Sequence, residues 1–121
     1  MRPVLFAAML LTIAACKSAT GPGGPAVAIT EYQFSPETLT VKVGSTVTWT
    51  NRGTVDHSVT SDTNSAVTFA SPTLAPATGG GGYGGGTGPG GYGLTFHTAG
   101  TYPYHCSFHP TLMHGAIVVT P

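Results

Sequence analysis

Residues 100–115 read GTYPYHCSFHPTLMHG, and this stretch decides the fold and the chemistry expected of the chain. It places Cys106, His109 and Met113 in one loop between two segments with strand character, residues 101–105 and 116–120. A thiolate, an imidazole and a thioether form a soft ligand set that suits copper cycling between Cu(I) and Cu(II). The stretch therefore predicts a metal site at one end of a β-structure.

A fourth ligand has to come from elsewhere in the chain, and His57 is the candidate. It follows the alternating segment 46–51, TVTWTN, which is expected to be a half-buried strand with Trp49 on its inner face. His57 can then lie at the same end of a β-sandwich as the 100–115 loop. Two histidines and a cysteine with a weak, long methionine bond are the blue-copper arrangement.

The rest of the chain predicts an all-β fold. Short apolar or alternating runs punctuated by glycine and proline predict strands at residues 27–30, 38–43, 46–51, 57–60, 67–69, 94–96, 101–105 and 116–120. No stretch shows an apolar period of 3.6 residues, so helices are not expected. Seven to eight short strands favour an antiparallel β-sandwich occupying residues 26–121.

Glycine is concentrated in one segment, residues 79–93, GGGGYGGGTGPGGYG, which holds 11 of the 18 glycines. Such a composition buries little apolar surface, and we interpret the segment as a flexible insertion between two strands. Tyr83 and Tyr92 are interpreted as solvated spacers, although they could pack the loop down or contact a partner. Phosphate binding is disfavoured because no helix or lysine follows the glycines.

The N-terminus has the pattern of an export signal. Arg2 precedes an apolar run at residues 4–15 that is too short to span a bilayer, and LTIAAC at 11–16 resembles the bacterial lipoprotein signal. This predicts a signal peptide at 1–15, a lipid on Cys16 and a flexible linker at 16–25. The protein would be exported and anchored to a bacterial membrane, on its periplasmic or cell-surface side. Lys17 resembles the outer-membrane sorting pattern; an ordinary signal peptide with a free Cys16, or a buried N-terminal helix, are the alternatives.

Composition excludes several classes of protein. The 121 residues suffice for one modest domain. Four basic and four acidic residues give a formal net charge of zero, so the chain lacks the excess of basic residues that nucleic-acid-binding proteins have. Two cysteines cannot form a disulfide-dense scaffold, and no apolar run is long enough to cross a membrane.

Taken together, these segments resemble the cupredoxins of the plastocyanin, amicyanin and pseudoazurin kind. The matching motifs follow the family's order over about residues 26–120, namely 34–44, 47–51, 57–59, 100–110 and 113–115. The resemblance implies a Greek-key sandwich with one type 1 copper per chain, held by His57, Cys106 and His109. Met113 is the implied axial ligand, but its spacing from His109 lies between those of amicyanin-like and plastocyanin-like loops. His114 is therefore a rival.

Other conspicuous side chains are given structural roles. His97 and His105 are not expected to be ligands, because His105 should point away from the face that Cys106 uses. The aromatic residues expected in the core are Phe34, Trp49, Tyr102 and Tyr104. Asn51 and Ser58 could fix the ligand loops by hydrogen bonds, and Asn51 could equally cap a turn.

The leading functional hypothesis is a membrane-anchored protein that carries single electrons between redox partners outside the cytoplasm. Its docking surface would be an apolar patch at His109, Pro110 and Leu112, with weak salt dependence because charges are few. The alternative is a copper carrier or buffer that hands the metal to another protein; a metal-free module on the same sandwich is also possible. Catalysis is not expected, because Ser107 stands where the copper oxidases have a histidine, and this loop has no second cysteine for a binuclear centre.

Overall fold

The computed structural model describes residues 20–21, 24–77 and 89–121. Within these ranges the chain forms β-strands and no helix, which confirms the all-β prediction, and no described helix could cross a membrane. The strands are β1 Thr20–Gly21, β2 Gly24–Thr30, β3 Gln33–Ser35, β4 Thr38–Lys42, β5 Thr46–Asn51, β6 Thr60–Ser61, β7 Gly91–Thr95, β8 Gly100–His105 and β9 His114–Thr120.

The strands form two sheets. One has the order β1-β2-β5-β7, with β3 also paired to β2, and the other has the order β4-β9-β8-β6. Two of the pairings are parallel, β2 with β5 and β4 with β9, so the sandwich is mixed and not wholly antiparallel as predicted. The reason is topological: the chain leaves the first sheet after β3, adds β4 to the second, and returns as β5. Alternation of apolar residues reports which face is buried and carries no information about strand direction.

The core lies between the sheets and is centred on Trp49. Alternate residues of β4 and β9 are buried, as are Val47 and Trp49 of β5. The Trp49 ring lies 5.5 Å from the ring of Tyr104, edge to face, and 5.8 Å from that of Tyr92. The predicted core aromatics Phe34, Trp49, Tyr102 and Tyr104 are all buried.

The predicted strands at 57–60 and 67–69 are wrong in extent. Only Thr60–Ser61 is a strand, and the rest of this segment folds back on itself. His57 forms an isolated bridge with Leu74, and Thr60 forms another with Ala70. Side chains replace backbone partners here, since the Ser71 hydroxyl accepts the N–H of Val59 at 2.9 Å. A sequence pattern of short apolar runs does not distinguish such a folded loop from a strand.

Two predicted boundaries also change. Gly91–Gly93, assigned to the flexible insertion, belong to β7, where Tyr92 pairs with Trp49 and is partly buried rather than a solvated spacer. In the predicted linker, Gly24 and Pro25 begin β2 and pair with β1. An ideal Cβ at Gly90 would stand 2.6 Å from the Ala75 nitrogen, so part of the glycine excess serves close packing. The predicted signal peptide, Cys16 and the insertion from 79 to 88, with Tyr83, lie outside the described residues.

Candidate metal centre

His57 is held in place by the loop that follows β5. Asn51, the last residue of β5, is fully buried, and its amide Nδ2 donates to the carbonyl oxygens of Val55 and Leu74, both at 2.8 Å. Its Oδ1 accepts the backbone N–H of Gly53 at 2.9 Å. His57 itself exchanges two backbone hydrogen bonds with Leu74, at 2.8 and 3.2 Å. The imidazole is therefore fixed at a position with no solvent exposure.

Cys106 and His109 are held by a tight turn between β8 and β9. The N–H of His109 donates to the Cys106 carbonyl at 3.1 Å, and the N–H of Met113 donates to the His109 carbonyl at 3.0 Å. The N–H of Cys106 donates to the Met113 carbonyl at 3.2 Å, which closes the turn. The backbone alone thus sets the spacing of the three residues.

The three side chains converge on one point. The Sγ of Cys106 lies 3.8 Å from Nδ1 of His57 and 3.7 Å from Nδ1 of His109. All three potential ligand atoms lie within 4.8 Å of one another. Ligand atoms about 2.0–2.3 Å from a trigonal metal ion are separated by roughly 3.5–4.0 Å. The spacing therefore fits one metal ion bound by two nitrogens and a sulfur.

A backbone N–H and a serine hydroxyl lie close to the sulfur of Cys106. The backbone N–H of Ser58 donates to Sγ of Cys106 at 3.4 Å. The Ser58 hydroxyl is held by Ser107, whose N–H donates to it at 2.9 Å and whose own hydroxyl lies 2.6 Å away. Such a donor stabilises negative charge on sulfur, as outer partners of metal ligands do. Ser58 fulfils the expected positioning role, and Ser107, considered in the sequence only as a replacement for histidine, shares it.

Electrostatics keep His57 neutral. Burial lowers the pKa of His57 below its ordinary value of 6.5, and the nearby His109 lowers it further. A neutral imidazole is the form that binds a metal ion. The site is thus poised for a cation at neutral pH without first having to release a proton from His57.

Comparison with known proteins identifies the metal. Residues 25–120 match the profile of the copper binding proteins of the plastocyanin/azurin family. The chain belongs to this family. A cupredoxin domain built on these residues binds copper, and the soft donor set of two imidazoles and a thiolate fits that metal.

The relatives agree with this assignment. Amicyanin from Paracoccus denitrificans is 38% identical over 99 residues, which cover 80% of this chain and 66% of that protein. This chain therefore spans slightly less than two thirds of the relative. A solved reduced amicyanin variant superposes with a TM-score of 0.65 at 35% identity, covering 83% of this chain and 85% of the other. A purple cupredoxin from Nitrosopumilus maritimus superposes with a TM-score of 0.63 at 31% identity, covering 78% and 98%.

Met113 and His114 differ in placement within this cupredoxin. Met113 is fully buried and belongs to the core, whereas His114, the first residue of β9, is exposed. Only three side chains, those of His57, Cys106 and His109, form a metal-ligating cluster of histidine, cysteine and carboxylate groups within the described ranges. His114 lies outside that cluster. Met113 is therefore the better placed of the two, and its axial role stays a prediction.

Sequence analysis missed the turn between β2 and β3, which contacts both histidine loops. The Tyr32 ring packs edge-on against the ring of His109, with centres 4.9 Å apart. The carboxylate of Glu31 accepts the backbone N–H of Thr54 in the loop before His57, and this hydrogen bond lowers the pKa of Glu31. Tyr32 has a φ of 61°, an uncommon conformation for a residue other than glycine, asparagine or aspartate. Nothing in the sequence pattern indicates this contact.

Proposed function

We propose that this cupredoxin carries single electrons between redox proteins outside the cytoplasm while a lipid on Cys16 anchors it to a membrane. The observation that carries the proposal is that two of the three ligands, His57 and Cys106, are buried and fixed by backbone hydrogen bonds, whereas the third, His109, is partly exposed. Copper bound there supplies a one-electron couple.

The first contribution is rigidity. His57 and Cys106 have no solvent exposure, and backbone hydrogen bonds to Leu74 and Met113 hold them. Neither side chain can swing away without breaking packed structure, because interiors of this density do not deform continuously. The same three ligand positions therefore serve both oxidation states, and little reorganisation accompanies electron transfer.

The second contribution is an exposed apolar surface around His109. We name this surface the docking patch and define it by Tyr32, Phe108, Pro110 and Leu112. Tyr32 and Phe108 are each 50% exposed and Leu112 is 66% exposed, and a group of such side chains marks an interaction surface where single ones do not. The sequence placed the patch at His109, Pro110 and Leu112; Phe108 and Tyr32 extend it. A small apolar patch with few charges favours brief docking to a redox protein with weak salt dependence.

Electron carriage is preferred to catalysis and to copper delivery. Ser107 follows the ligand cysteine, and its hydroxyl is engaged with Ser58 instead of serving a second metal. Copper delivery is the alternative function, and partial exposure of His109 is the observation in its favour. The two differ in how readily the metal leaves, since a carrier of electrons retains it in both oxidation states.

Electron exchange between oxidised and reduced copies of the protein tests the proposal. Leu112→Glu places like charges at the docking patch in every encounter, and juxtaposed like charges cost several kcal/mol. We expect the exchange rate, measured by NMR line broadening at low salt, to fall by about tenfold or more. Val43→Glu is the matched control, because Val43 is 42% exposed and its N–H bonds Thr120 at the opposite end of β9.

Equal effects of the two substitutions would contradict docking through the patch. Rapid and complete loss of copper from the reduced protein to a Cu(I) chelator would favour copper delivery over electron carriage.

For the anchor, we expect Cys16→Ser to release the protein from the membrane fraction of a bacterial host. Unchanged membrane fractionation would count against lipidation and against membrane anchoring. In a bacterium with two membranes, the proposed location includes the outer membrane.

A further inference from the structure

Two histidines that lie outside the cluster of His57, Cys106 and His109 face each other across β8 and β9. His105 and His114 are direct partners in the antiparallel register, and their ring centres lie 6.4 Å apart. On the preceding rung of the ladder, Tyr104 and Gly115 are buried, whereas His105 is partly exposed and His114 is exposed. Successive residues of a strand point to opposite faces, so the two imidazoles share the outer face of this sheet.

A carboxylate orients one of the two rings. Nδ1 of His105 lies 2.5 Å from Oδ1 of Asp62, and the two side chains are only 25% and 28% exposed. Asp62 follows β6, which neighbours β8 on the side opposite β9, so the three side chains form a row across the sheet. Nδ1 of the His105 ring is engaged by Asp62, so Nε2 is the ring nitrogen left to bind a metal ion. This carboxylate–histidine arrangement is the one that accompanies metal-bound histidines.

The surroundings of His114 also favour a cation. His114 lines a recess of about 330 Å³ together with Glu31 and Glu37. Two carboxylates beside an imidazole lower the electrostatic energy of a positive ion there. The Glu31 carboxylate already accepts the backbone N–H of Thr54, so we assign it a contribution of charge and not of a ligand atom.

We propose that His105 and His114 form a second, surface site for a divalent transition-metal ion, with Asp62 as the positioning residue for His105. Imidazoles are ligands suited to zinc, copper and nickel. Two imidazoles that share an ion through bonds of about 2.0 Å have ring centres about 5–6 Å apart. The ring centres lie 6.4 Å apart, so metal binding requires a rotation of the His114 side chain, which is exposed to solvent. This metal site is separate from the proposed electron-carrying centre. His105 and His114 are the chain neighbours of Cys106 and Met113, and the ion would use neither of those two side chains.

Zinc alone is the probe, since it is redox-silent and leaves the copper couple undisturbed. We expect the copper-loaded protein to bind one equivalent of Zn²⁺ in equilibrium dialysis with metal analysis, and to keep its copper. His114→Gln should weaken zinc binding by at least about tenfold, and Asp62→Asn by about ten- to a hundredfold. His97→Gln removes an exposed histidine elsewhere and is the matched control, expected to bind zinc as the unaltered protein does.

Three results would overturn the proposal. The unaltered protein could bind no more zinc than His114→Gln does, or His97→Gln could weaken binding as much as His114→Gln. The visible copper band could also disappear in His114→Gln, which would assign His114 to the buried centre instead. Retention of that band in every variant distinguishes loss of the surface site from loss of the copper site on which the proposed function depends.

Discussion

Removing the side chain of Asn51 tests how the His57 loop is held. Asn51→Ala deletes two bonds donated to the carbonyls of Val55 and Leu74 and one accepted from the N–H of Gly53, at 2.8, 2.8 and 2.9 Å. Each such bond contributes about 1 kcal/mol net, and a buried partner left without a bond costs about 1–3 kcal/mol. Asn51 has no solvent exposure and its bond to Leu74 is buried, so water cannot replace the amide there without rearrangement, whereas the bond to Val55 is only partly buried. We therefore expect a loss of about 2–4 kcal/mol in the free energy of unfolding.

Urea denaturation of the metal-free protein at neutral pH measures this loss without contribution from copper. The midpoint should fall while the slope m stays unchanged, which marks a change of stability and not of compactness. Asn64→Ala is the control, because Asn64 is an exposed turn residue, and it should change stability by less than about 0.5 kcal/mol. Asn51→Asp keeps the acceptor but points a carboxylate at two carbonyls, so it should not rescue. A loss below about 1 kcal/mol in Asn51→Ala, or rescue by Asn51→Asp, would refute the reasoning.

Other positions give further expectations. Gly115→Ala should lower the free energy of unfolding by about 1–3 kcal/mol or more in the same assay, because the new Cβ would stand 2.5 Å from Cζ of buried Tyr104. Gly91→Ala is the control and should cost far less, because its Cβ would meet its nearest atom at 3.5 Å. The metal-free protein should lose stability as the pH falls below about 6.5, because His57 takes up a proton there in the unfolded chain, whereas in the folded protein its lowered pKa delays protonation to lower pH. Denaturation midpoints measured against pH should show this loss, and His57→Gln should make the midpoint less dependent on pH. Tyr32→Ala removes the edge-on contact with His109, which contributes about 0.5–1.5 kcal/mol, and should speed copper loss to a chelator about two- to tenfold. An unchanged rate would show that the Tyr32 ring does not stabilise the bound His109.

The ligand set was predictable because its chemistry is local. Cys106 and His109 lie in one loop, so their residue types and spacing alone point to a soft metal. His57 required only the inference that a loop after the Trp49 strand meets the same end of the sandwich, and the structure brings the three atoms within 4.8 Å. Alternation along residues 38–43 and 46–51 likewise predicted β4 and β5 within a residue.

What sequence could not supply depends on contacts between distant segments. The parallel pairing of β2 with β5 follows from how the chain crosses between sheets. Tyr92 is packed because its strand lies against Trp49, although its neighbours are glycines that suggest a loose loop. The edge-on contact of Tyr32 with His109 requires a tyrosine in a left-handed turn conformation that no turn propensity favours.

The central claim is that Cys106 binds copper as a thiolate between His57 and His109. Titration of the metal-free protein with Cu(II) tests it most directly, with the visible absorption spectrum as the readout. We predict an intense charge-transfer band that saturates at one equivalent, is absent in Cys106→Ser, and persists in Thr111→Ser, an exposed position of the same loop. A band that survives in Cys106→Ser, or no band in the unaltered protein, would contradict the account.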